Sequence, residues 1–253
     1  MSKWSTVRPI ALVGVALLAL QSSTSATHSW GGYHWARIAN PFLLDLGDNV
    51  SSAWDQYLTN ASSDWSVSTV LHTTIVAGQT TPKTCKPTSG RVEVCNAPYG
   101  FNGWLGRAQI WVSGSHITQG AVKLNDSYFN TSTYNKPEWR QMVVCQEVGH
   151  TFGLAHQDEN FSNPNLGTCM DYTSDPTSNQ QPNQHDYDQL VTIYTHLDSF
   201  TTAGATSPSH APAVLDHPSE WGQLMKVSHG GKTQVFERAF GNGERVVTFV
   251  IWA

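Results

Sequence analysis

The segment CQEVGHTFGLAHQDE, residues 145–159, brings metal-binding and acid–base side chains together in a short stretch of the chain. Gln146 and His150 are four residues apart, so on a helix they lie on one face about one turn apart. Glu147 is beside them and can reach the same cleft, and a second histidine, His156, follows. Two imidazoles suit zinc, which in catalytic sites keeps one position open for water. The segment therefore predicts a helix that carries a metal site with a neighbouring carboxylate.

The same segment resembles the zinc signature H-E-x-x-H-x-x-G-x-x-H of the metzincin metallopeptidases. The match covers Glu147, His150, Gly153 and His156, whereas Gln146 stands in place of the first histidine. In the family, the glycine lets the chain turn sharply after the helix, and the turn returns the third ligand to the metal. The resemblance therefore implies that Gln146, His150 and His156 are the zinc ligands.

A second motif agrees with this resemblance. The sequence Cys169-Met170-Asp171-Tyr172 looks like the Met-turn that lies beneath the metzincin zinc, and Met170 is fourteen residues after His156. Met170 would pack below the ligands as an apolar floor. The resemblance covers roughly residues 28–200 and is closest to the matrixin-like secreted peptidases. It implies an α+β fold with a twisted mixed sheet, an active-site helix, a Met-turn and a C-terminal helix.

The function implied is that of a secreted zinc metalloendopeptidase acting on protein or peptide substrates. Zinc lowers the pKa of its bound water toward about 7, and a carboxylate accepts the proton. Glu147 is the predicted general base, which later delivers the proton to the leaving amine, while zinc polarises the scissile carbonyl. Tyr172 is the second predicted catalytic residue, because in astacin-like and serralysin-like metzincins a tyrosine two residues after the methionine can help hold the transition state. The S1′ pocket is expected around residues 172–176.

The glutamine at the first ligand position leaves three interpretations open. The amide oxygen of Gln146 can ligate zinc with lower affinity, because a neutral amide is a poorer donor than an imidazole. Alternatively, another residue completes the site: Tyr172, or one of His185, His72 and His116 if the fold brings them near. In the third interpretation the protein is a catalytically weak or inactive member of the fold that serves as a secreted binding protein.

The composition of the chain limits the other classes of function. The 253 residues suffice for one domain with an appendage, and a hydrophobic content of 39% supports a buried core. The net charge is −5 and no cluster of lysine and arginine occurs, so no nucleic-acid partner is expected. We expect a monomer.

The N-terminus has the pattern of an export signal. Lys3 and Arg8 precede the apolar run 10–20, which is too short to span a bilayer. The sequence predicts a signal peptide over residues 1–26, cleaved near Ala26, and a secreted protein without membrane association after cleavage.

The four cysteines all follow this segment, and an even number in an exported chain predicts two disulfides. Four cysteines allow three connectivities, of which we favour Cys85–Cys95 with Cys145–Cys169. The first pair closes a short loop. The second pair would staple the metal-site helix to the turn beneath it. A zinc site built from cysteines is the alternative, but no C-x-x-C pair is present.

Periodicity and turn residues divide the chain into domains. Residues 27–200 are predicted to form the peptidase domain, 201–212 a linker, and 213–253 a small extension of two or three β-strands. Strands are predicted at residues 30–38, 70–77, 92–95, 107–112 and 121–125, and helices at 45–63, 137–150 and 183–200.

Carboxylates are frequent after the metal-site helix, and oxygen ligands suit calcium. A structural calcium site is therefore one expectation for this region, although EF-hand spacing is absent from the sequence. The alternative is an acidic surface with helix caps and turns. The residues concerned are Asp158, Glu159, Asp171, Asp175, Asp186 and Asp188.

Overall fold

The structure is a computed structural model that describes residues 1, 28–206, 214–228 and 230–253. The predicted signal peptide, apart from Met1, lies outside the described residues, as do residues 207–213, which include the second half of the predicted linker. The described residues form nine strands and four helices, which confirms the predicted α+β class. None of the helices among them is long and apolar enough to cross a membrane.

The elements have the following bounds. The strands are β1 (His34–Trp35), β2 (Phe42–Asn49), β3 (Leu71–Ala77), β4 (Val92–Ala97), β5 (Trp104–Ser113), β6 (His116–Asn125), β7 (Gln223–Val227), β8 (Thr233–Gly241) and β9 (Glu244–Trp252). The helices are α1 (Asp55–Trp65), α2 (Asp126–Phe129), α3 (Pro137–His150) and α4 (Gln184–Ile193).

All nine strands of the described residues belong to one mixed sheet. Its order is β3-β2-β4-β6-β5-β9-β8-β7, and the short β1 pairs with β6 beside this path. The strands β3, β2, β4 and β6 are parallel, whereas β5, β9, β8 and β7 are joined by antiparallel pairing. The sheet therefore changes from parallel to antiparallel at β5, the strand on which α3 packs.

The C-terminal residues continue the sheet. β9 pairs with β5 along nearly its whole length, from Trp104 opposite Trp252 to Ser113 opposite Glu244. The predicted β-rich segment is thus three strands that are hydrogen bonded to the rest of the chain through β5. The residues Val246–Ile251 of β9 are buried, so this pairing lies inside the protein.

Helix α3 follows its local sequence signals from end to end. Pro137 occupies its first turn, where its missing N–H costs no hydrogen bond, and Glu138 lies in the same turn, where the helix dipole favours an acid. All residues from Gln141 to His150 are buried, because the helix is covered by β5 on one side and by α1 on another. The predicted bounds 137–150 are confirmed.

Two other predicted elements differ from the structure. The predicted helix 45–63 is wrong over its first part, because Phe42–Asn49 form β2 and the helix begins only at Asp55. β2 is hydrogen bonded on both edges, to β3 and to β4. Its apolar residues Phe42, Leu44 and Leu46 are buried at every second position, as in a strand, and the helical spacing of apolar residues begins only at Val50. The predicted strand 30–38 is reduced to His34–Trp35.

The C-terminal helix begins as its sequence predicts. Asn183 and Asp186 form the predicted capping box, in which each side chain accepts a hydrogen bond from the other residue's backbone N–H. The helix ends at Ile193 rather than at residue 200.

Both favoured disulfides are present. Cys85–Cys95 and Cys145–Cys169 each have a Cα–Cα distance of 5.9 Å. The second bond joins α3 to the residue that precedes Met170 and closes a loop with a sequence separation of 24. A loop of this size corresponds to roughly 3 kcal/mol of chain-entropy stabilisation.

Candidate active site

His150 and His156 meet at the end of α3. Their Nε2 atoms are 3.0 Å apart, and their ring planes are inclined at 77°. Gly153, with a φ of +92°, reverses the chain between them. Both rings are almost fully buried, at 1% and 6% relative exposure. The two imidazoles therefore point their Nε2 atoms toward each other in a space shielded from water.

Hydrogen bonds at the opposite ring nitrogens orient both imidazoles. His150 Nδ1 lies 2.9 Å from the backbone oxygen of Leu154, which can only accept, so His150 donates there and its Nε2 carries a lone pair. His156 Nδ1 lies 2.6 Å from the hydroxyl of Tyr172, which can donate or accept. Without an ion, His156 Nε2–H can donate a hydrogen bond to the lone pair of His150 Nε2, which satisfies both atoms.

Burial also fixes the charge of this pair. It lowers the pKa of His150 from its ordinary value to about 4. The pKa of His156 is also lowered well below its ordinary value, first by burial and then by the neighbouring His150. Both rings are neutral at pH 7, which is the form that ligates metals.

Gln146 is buried one turn before His150, with a relative exposure of 1%. Its Nε2 donates a hydrogen bond of 2.8 Å to the backbone oxygen of Cys169. Its Oε1 is buried and has no hydrogen-bond partner among the described residues. The Cys145–Cys169 bond holds both ends of this contact, so the amide presents an acceptor oxygen without a donor.

Glu147 is buried against β5. Its carboxylate accepts a hydrogen bond from the backbone N–H of Ala108, and its Oε2 has no partner within the described part of the chain. The lack of a side chain at Gly106 makes room for the Glu147 carboxylate, since a Cβ at Gly106 would lie 2.7 Å from Glu147 Oε1. Burial raises the pKa of Glu147 well above its usual range, and Arg107 only partly opposes this. The carboxyl is therefore a weak acid, suited to exchanging protons.

Tyr172 contacts the histidine pair through His156. Its buried hydroxyl also receives a hydrogen bond from the Thr233 hydroxyl, and its ring stacks on Phe161. Met170 is fully buried beneath α3: a Cβ at Gly149 would lie 2.8 Å from its sulfur atom. The structure thus brings the residues of both sequence motifs to the same end of the helix.

The C-terminal strands complete the site, which the sequence did not predict. Phe249 of β9 stacks on His150, with ring centroids 4.3 Å apart and an interplanar angle of 5°. Thr233 of β8 reaches Tyr172, and Lys226 of β7 pairs with Glu159 at 2.6 Å. The nearly continuous apolar run of β9 indicates burial, but nothing in the local sequence identifies α3 as the partner.

The other histidines considered as replacement ligands lie elsewhere. His185 stacks on His28, His116 contacts Asp198, and His72 is exposed on β3. None of these contacts involves His150 or His156. Among the alternatives to Gln146, Tyr172 is therefore the residue that the fold brings to the histidine pair.

The acidic residues considered for calcium are used in separate local contacts. Asp158 accepts hydrogen bonds from the backbone N–H groups of Glu159 and Asn160. Asp171 is bonded to Leu166 and Asn179, Asp175 caps a 3₁₀ turn, Asp186 caps α4, and Asp188 accepts from Gln184. These contacts use most of the carboxylates as caps and turns, whereas Asp171 Oδ1 is buried without a hydrogen-bond partner among the described residues. The calcium site stays a prediction.

The residues at the end of α3 fit a zinc ion. Zinc–nitrogen bonds of about 2.0–2.1 Å in a tetrahedral site hold two ligand nitrogens about 3.3 Å apart, close to the 3.0 Å between the two Nε2 atoms. Both nitrogens belong to neutral imidazoles, and one turn before His150 the buried Gln146 Oε1 has no hydrogen-bond partner among the described residues. The hydrogen bonds at His150 Nδ1 and His156 Nδ1 are the outer contacts that orient metal-ligating histidines.

Comparisons with known proteins give little beyond this geometry. No family model and no curated protein matches the sequence. One solved structure to which the chain shows a weak overall similarity is High choriolytic enzyme 1, a hatching enzyme zinc-protease from Oryzias latipes (medaka fish). The two share 10% sequence identity over 67% of this chain and 98% of that chain, with a TM-score of 0.37. What the site can do chemically follows from its own residues.

Proposed function

We propose that the protein is a secreted zinc-dependent metalloendopeptidase of the metzincin type. The observation that carries this proposal is the convergence of the Nε2 atoms of His150 and His156, 3.0 Å apart. A buried carboxylate and an unpartnered amide oxygen lie on the same helix. His150 and His156 would hold the ion, with Gln146 Oε1 as the third ligand.

Zinc bound there would polarise the scissile carbonyl and lower the pKa of the attacking water toward about 7. Glu147 accepts the proton from that water at its carboxylate and later delivers it to the leaving amine. Burial makes the Glu147 carboxylate a stronger base than an exposed one, and the positive charge of a bound zinc ion would favour the ionised form that accepts the proton. The Ala108 N–H holds the carboxylate against β5 throughout.

Tyr172 is assigned first to the positioning of His156. Its hydroxyl lies 2.6 Å from His156 Nδ1, so it fixes the plane of the ring whose Nε2 faces His150. A role in holding the transition state requires this hydroxyl to leave His156 and Thr233 and turn toward the substrate. Phe161, stacked on the other side of the Tyr172 ring, favours the resting position.

A cleft beside Tyr172 supports binding of an apolar peptide side chain. It has a volume of about 230 Å³, and its walls include Thr173 and Ser174, from the stretch predicted to shape the S1′ pocket. The walls also carry Tyr134, Trp139 and Phe161. Cavities with mostly apolar and aromatic walls are typical of binding sites, so we propose that the peptidase prefers a large apolar residue beside the cleaved bond.

Secretion is the second part of the proposal. It rests on the export pattern of residues 1–26 and on two disulfides, which persist in oxidising compartments.

The proposal is tested with the purified chain. We expect zinc by elemental analysis and cleavage of a broad peptide library, with preference for large apolar residues at one subsite. Removal of metal by a chelator should abolish cleavage, and added Zn²⁺ should restore it. Absence of cleavage at full zinc loading would refute the peptidase function.

A second function, a secreted binding protein with weak or no catalysis, is favoured by one specific observation. Phe249 lies flat on His150 and helps to bury the histidine pair, so a substrate reaches this face of His150 only if the Phe249 side chain moves. Under this alternative the chain binds zinc or peptide without cleaving it, and the same library assay distinguishes the two.

The substitution Gln146→His is expected to increase zinc affinity at least about tenfold and to raise kcat/KM. A histidine here can donate one ring N–H to the Cys169 oxygen, as the amide does now, and use its other nitrogen as the ligand. Zinc affinity is measured by competition with a chromogenic chelator. A loss of activity would instead show that the site depends on the amide.

The matched control is Gln141→His, the same exchange on the same helix. Gln141 faces α1, where it contacts Asn60 and the backbone of Tyr57. This variant should leave zinc affinity unchanged. Equal affinity of Gln146→His and wild type would mean that position 146 is not a ligand position.

A further inference from the structure

A second group of histidines surrounds Asp198, on a part of the protein that the proposed peptidase site does not use. His34 of β1 and His116 of β6 are direct partners in the parallel pairing of the two strands, and their rings are 4.9 Å apart. His196 and Asp198 come from the segment that follows α4. The cluster thus joins two strands to the chain after the C-terminal helix.

The imidazoles converge on one oxygen. Asp198 Oδ1 lies 3.2 Å from His116 Nε2, 3.7 Å from His34 Nε2 and 3.8 Å from His196 Nε2. The Nε2 atoms of His34 and His196 are 3.2 Å apart. Ligand atoms around a tetrahedral zinc ion lie about 3.3 Å from one another. His34, His116 and Asp198 offer ligand atoms that all lie within 4.8 Å of one another, and His196 approaches this group beside His34, so small side-chain movements would bring the four groups around one ion.

The surroundings of the cluster prepare two of these groups as ligands. His34 Nδ1 donates to the backbone oxygen of Gly32 at 2.9 Å, which leaves a lone pair on its buried Nε2. Asp198 Oδ2 accepts from the backbone N–H of Arg37 at 3.1 Å and from its guanidinium at 2.9 Å. The other carboxylate oxygen, Oδ1, is thereby left to the histidines.

Without an ion, hydrogen bonds hold the cluster together. His196 Nε2–H can donate to the lone pair of His34 Nε2, and His116 Nε2–H can donate to Asp198 Oδ1. An ion bound here would replace these two protons. The ring planes of His34 stand at 77° to His116 and at 85° to His196, so the in-plane lone pairs can meet at one point.

In a second cluster, formed by His28, His185 and Asp186, the ring lone pairs are not directed at a common point. Its two rings are stacked at an interplanar angle of only 14°. Lone pairs in two nearly parallel planes do not converge on a single ion. The comparison singles out the cluster at Asp198.

We propose that His34, His116, His196 and Asp198 form a structural site for a divalent metal of the zinc class. Three imidazoles and one carboxylate make a closed set of four donors, without the open position that a catalytic zinc keeps. The ion would fasten the chain after α4 to β1 and β6. This inference is independent of the proposed peptidase function, because it shares no residue with the site at His150.

The test uses the full chain, stripped with a chelator and titrated with Zn²⁺ or Co²⁺ alone. In the variant His150→Ala, which disables the proposed peptidase site, we expect one tightly bound zinc per chain and the visible absorption of four-coordinate Co²⁺. Adding Asp198→Asn or His116→Ala should weaken this binding at least about 100-fold. Zinc should raise the Tm of the His150→Ala protein but not that of the combined variants.

Two further substitutions, each made in the His150→Ala protein, keep the test decisive if a buried substitution unfolds the protein. His196 is exposed, so His196→Ala should fold normally yet bind zinc at least about tenfold more weakly. His72→Ala, at an exposed histidine on β3, should bind as before. The proposal is overturned if the His150→Ala protein takes up no zinc, or if His196→Ala and His72→Ala bind it equally well. Peptidase activity enters neither outcome.

Discussion

Replacing Glu147 with glutamine is expected to reduce kcat/KM at least about 100-fold, the lower end of the range for removal of a general acid–base group. The amide has the same shape and can still meet β5, but it cannot accept the proton of the attacking water. Zinc content should be unchanged, since Glu147 is not a proposed ligand. Both quantities are measured on the same zinc-loaded preparation.

The same substitution is expected to stabilise the metal-free protein at neutral pH. The folded-state pKa of Glu147 is raised above its value in the unfolded chain by burial. Its contribution to stability is therefore full below the unfolded pKa and is lost as pH rises through the folded pKa. Glutamine does not titrate, so the Tm difference between Glu147→Gln and wild type should be small near pH 4 and favour the variant at pH 7, measured in chelator.

Glu138→Gln is the matched control, because Glu138 lies on the same helix in its first turn. It should retain activity and lose at most a few tenths of a kcal/mol from the weaker dipole interaction. If Glu147→Gln retained wild-type activity, Glu147 would not be the general base. A Tm difference independent of pH would contradict the burial of an uncharged carboxyl.

The parts of this structure that the sequence predicted correctly are those fixed by local signals. Pro137 and Glu138 mark the start of α3, and Asn183 with Asp186 marks the start of α4. Spacing along a helix also places Gln146 one turn from His150 whatever surrounds them. Such signals operate within a few residues, so they do not require knowledge of the tertiary structure.

The elements that could not be predicted depend on partners distant in the chain. The residues Phe42–Asn49 become a strand because β3 and β4 pair with both of its edges. Phe249 reaches His150 from about 100 residues away, through the pairing of β9 with β5. The cluster around Asp198 likewise joins residues from β1, β6 and the end of α4, with no motif in the sequence to connect them.

The contacts of Gln146 depend both on local sequence signals and on residues distant in the chain. Its place on the helix follows from the sequence, but its hydrogen bond to the Cys169 oxygen depends on the disulfide and on the turn before Met170. That contact decides which amide atom is left free. The free atom is the oxygen, which is the one able to ligate a metal.

Gly153→Ala is expected to destabilise the protein by at least about 3 kcal/mol, combining strain at a positive φ with a steric clash. The φ of Gly153 is +92°, and an added Cβ would lie only 2.0 Å from the backbone oxygen of Tyr33. Backbone atoms cannot move aside as a flexible side chain can, so the turn itself must shift. The shift would carry Leu154, whose backbone oxygen orients His150, and zinc affinity should fall at least about tenfold.

Gly167→Ala separates the clash from the strain. Gly167 also has a positive φ, +72°, but an added Cβ there would meet nothing within 4 Å. This variant should lose only about 1–2 kcal/mol, the cost of a left-handed conformation for an L-residue, and should keep its zinc affinity. Urea unfolding and chelator competition on both variants give the comparison. Equal losses of stability would show that the approach of Gly153 to Tyr33 is not a constraint on the turn, and unchanged zinc binding in Gly153→Ala would show that His150 does not depend on it.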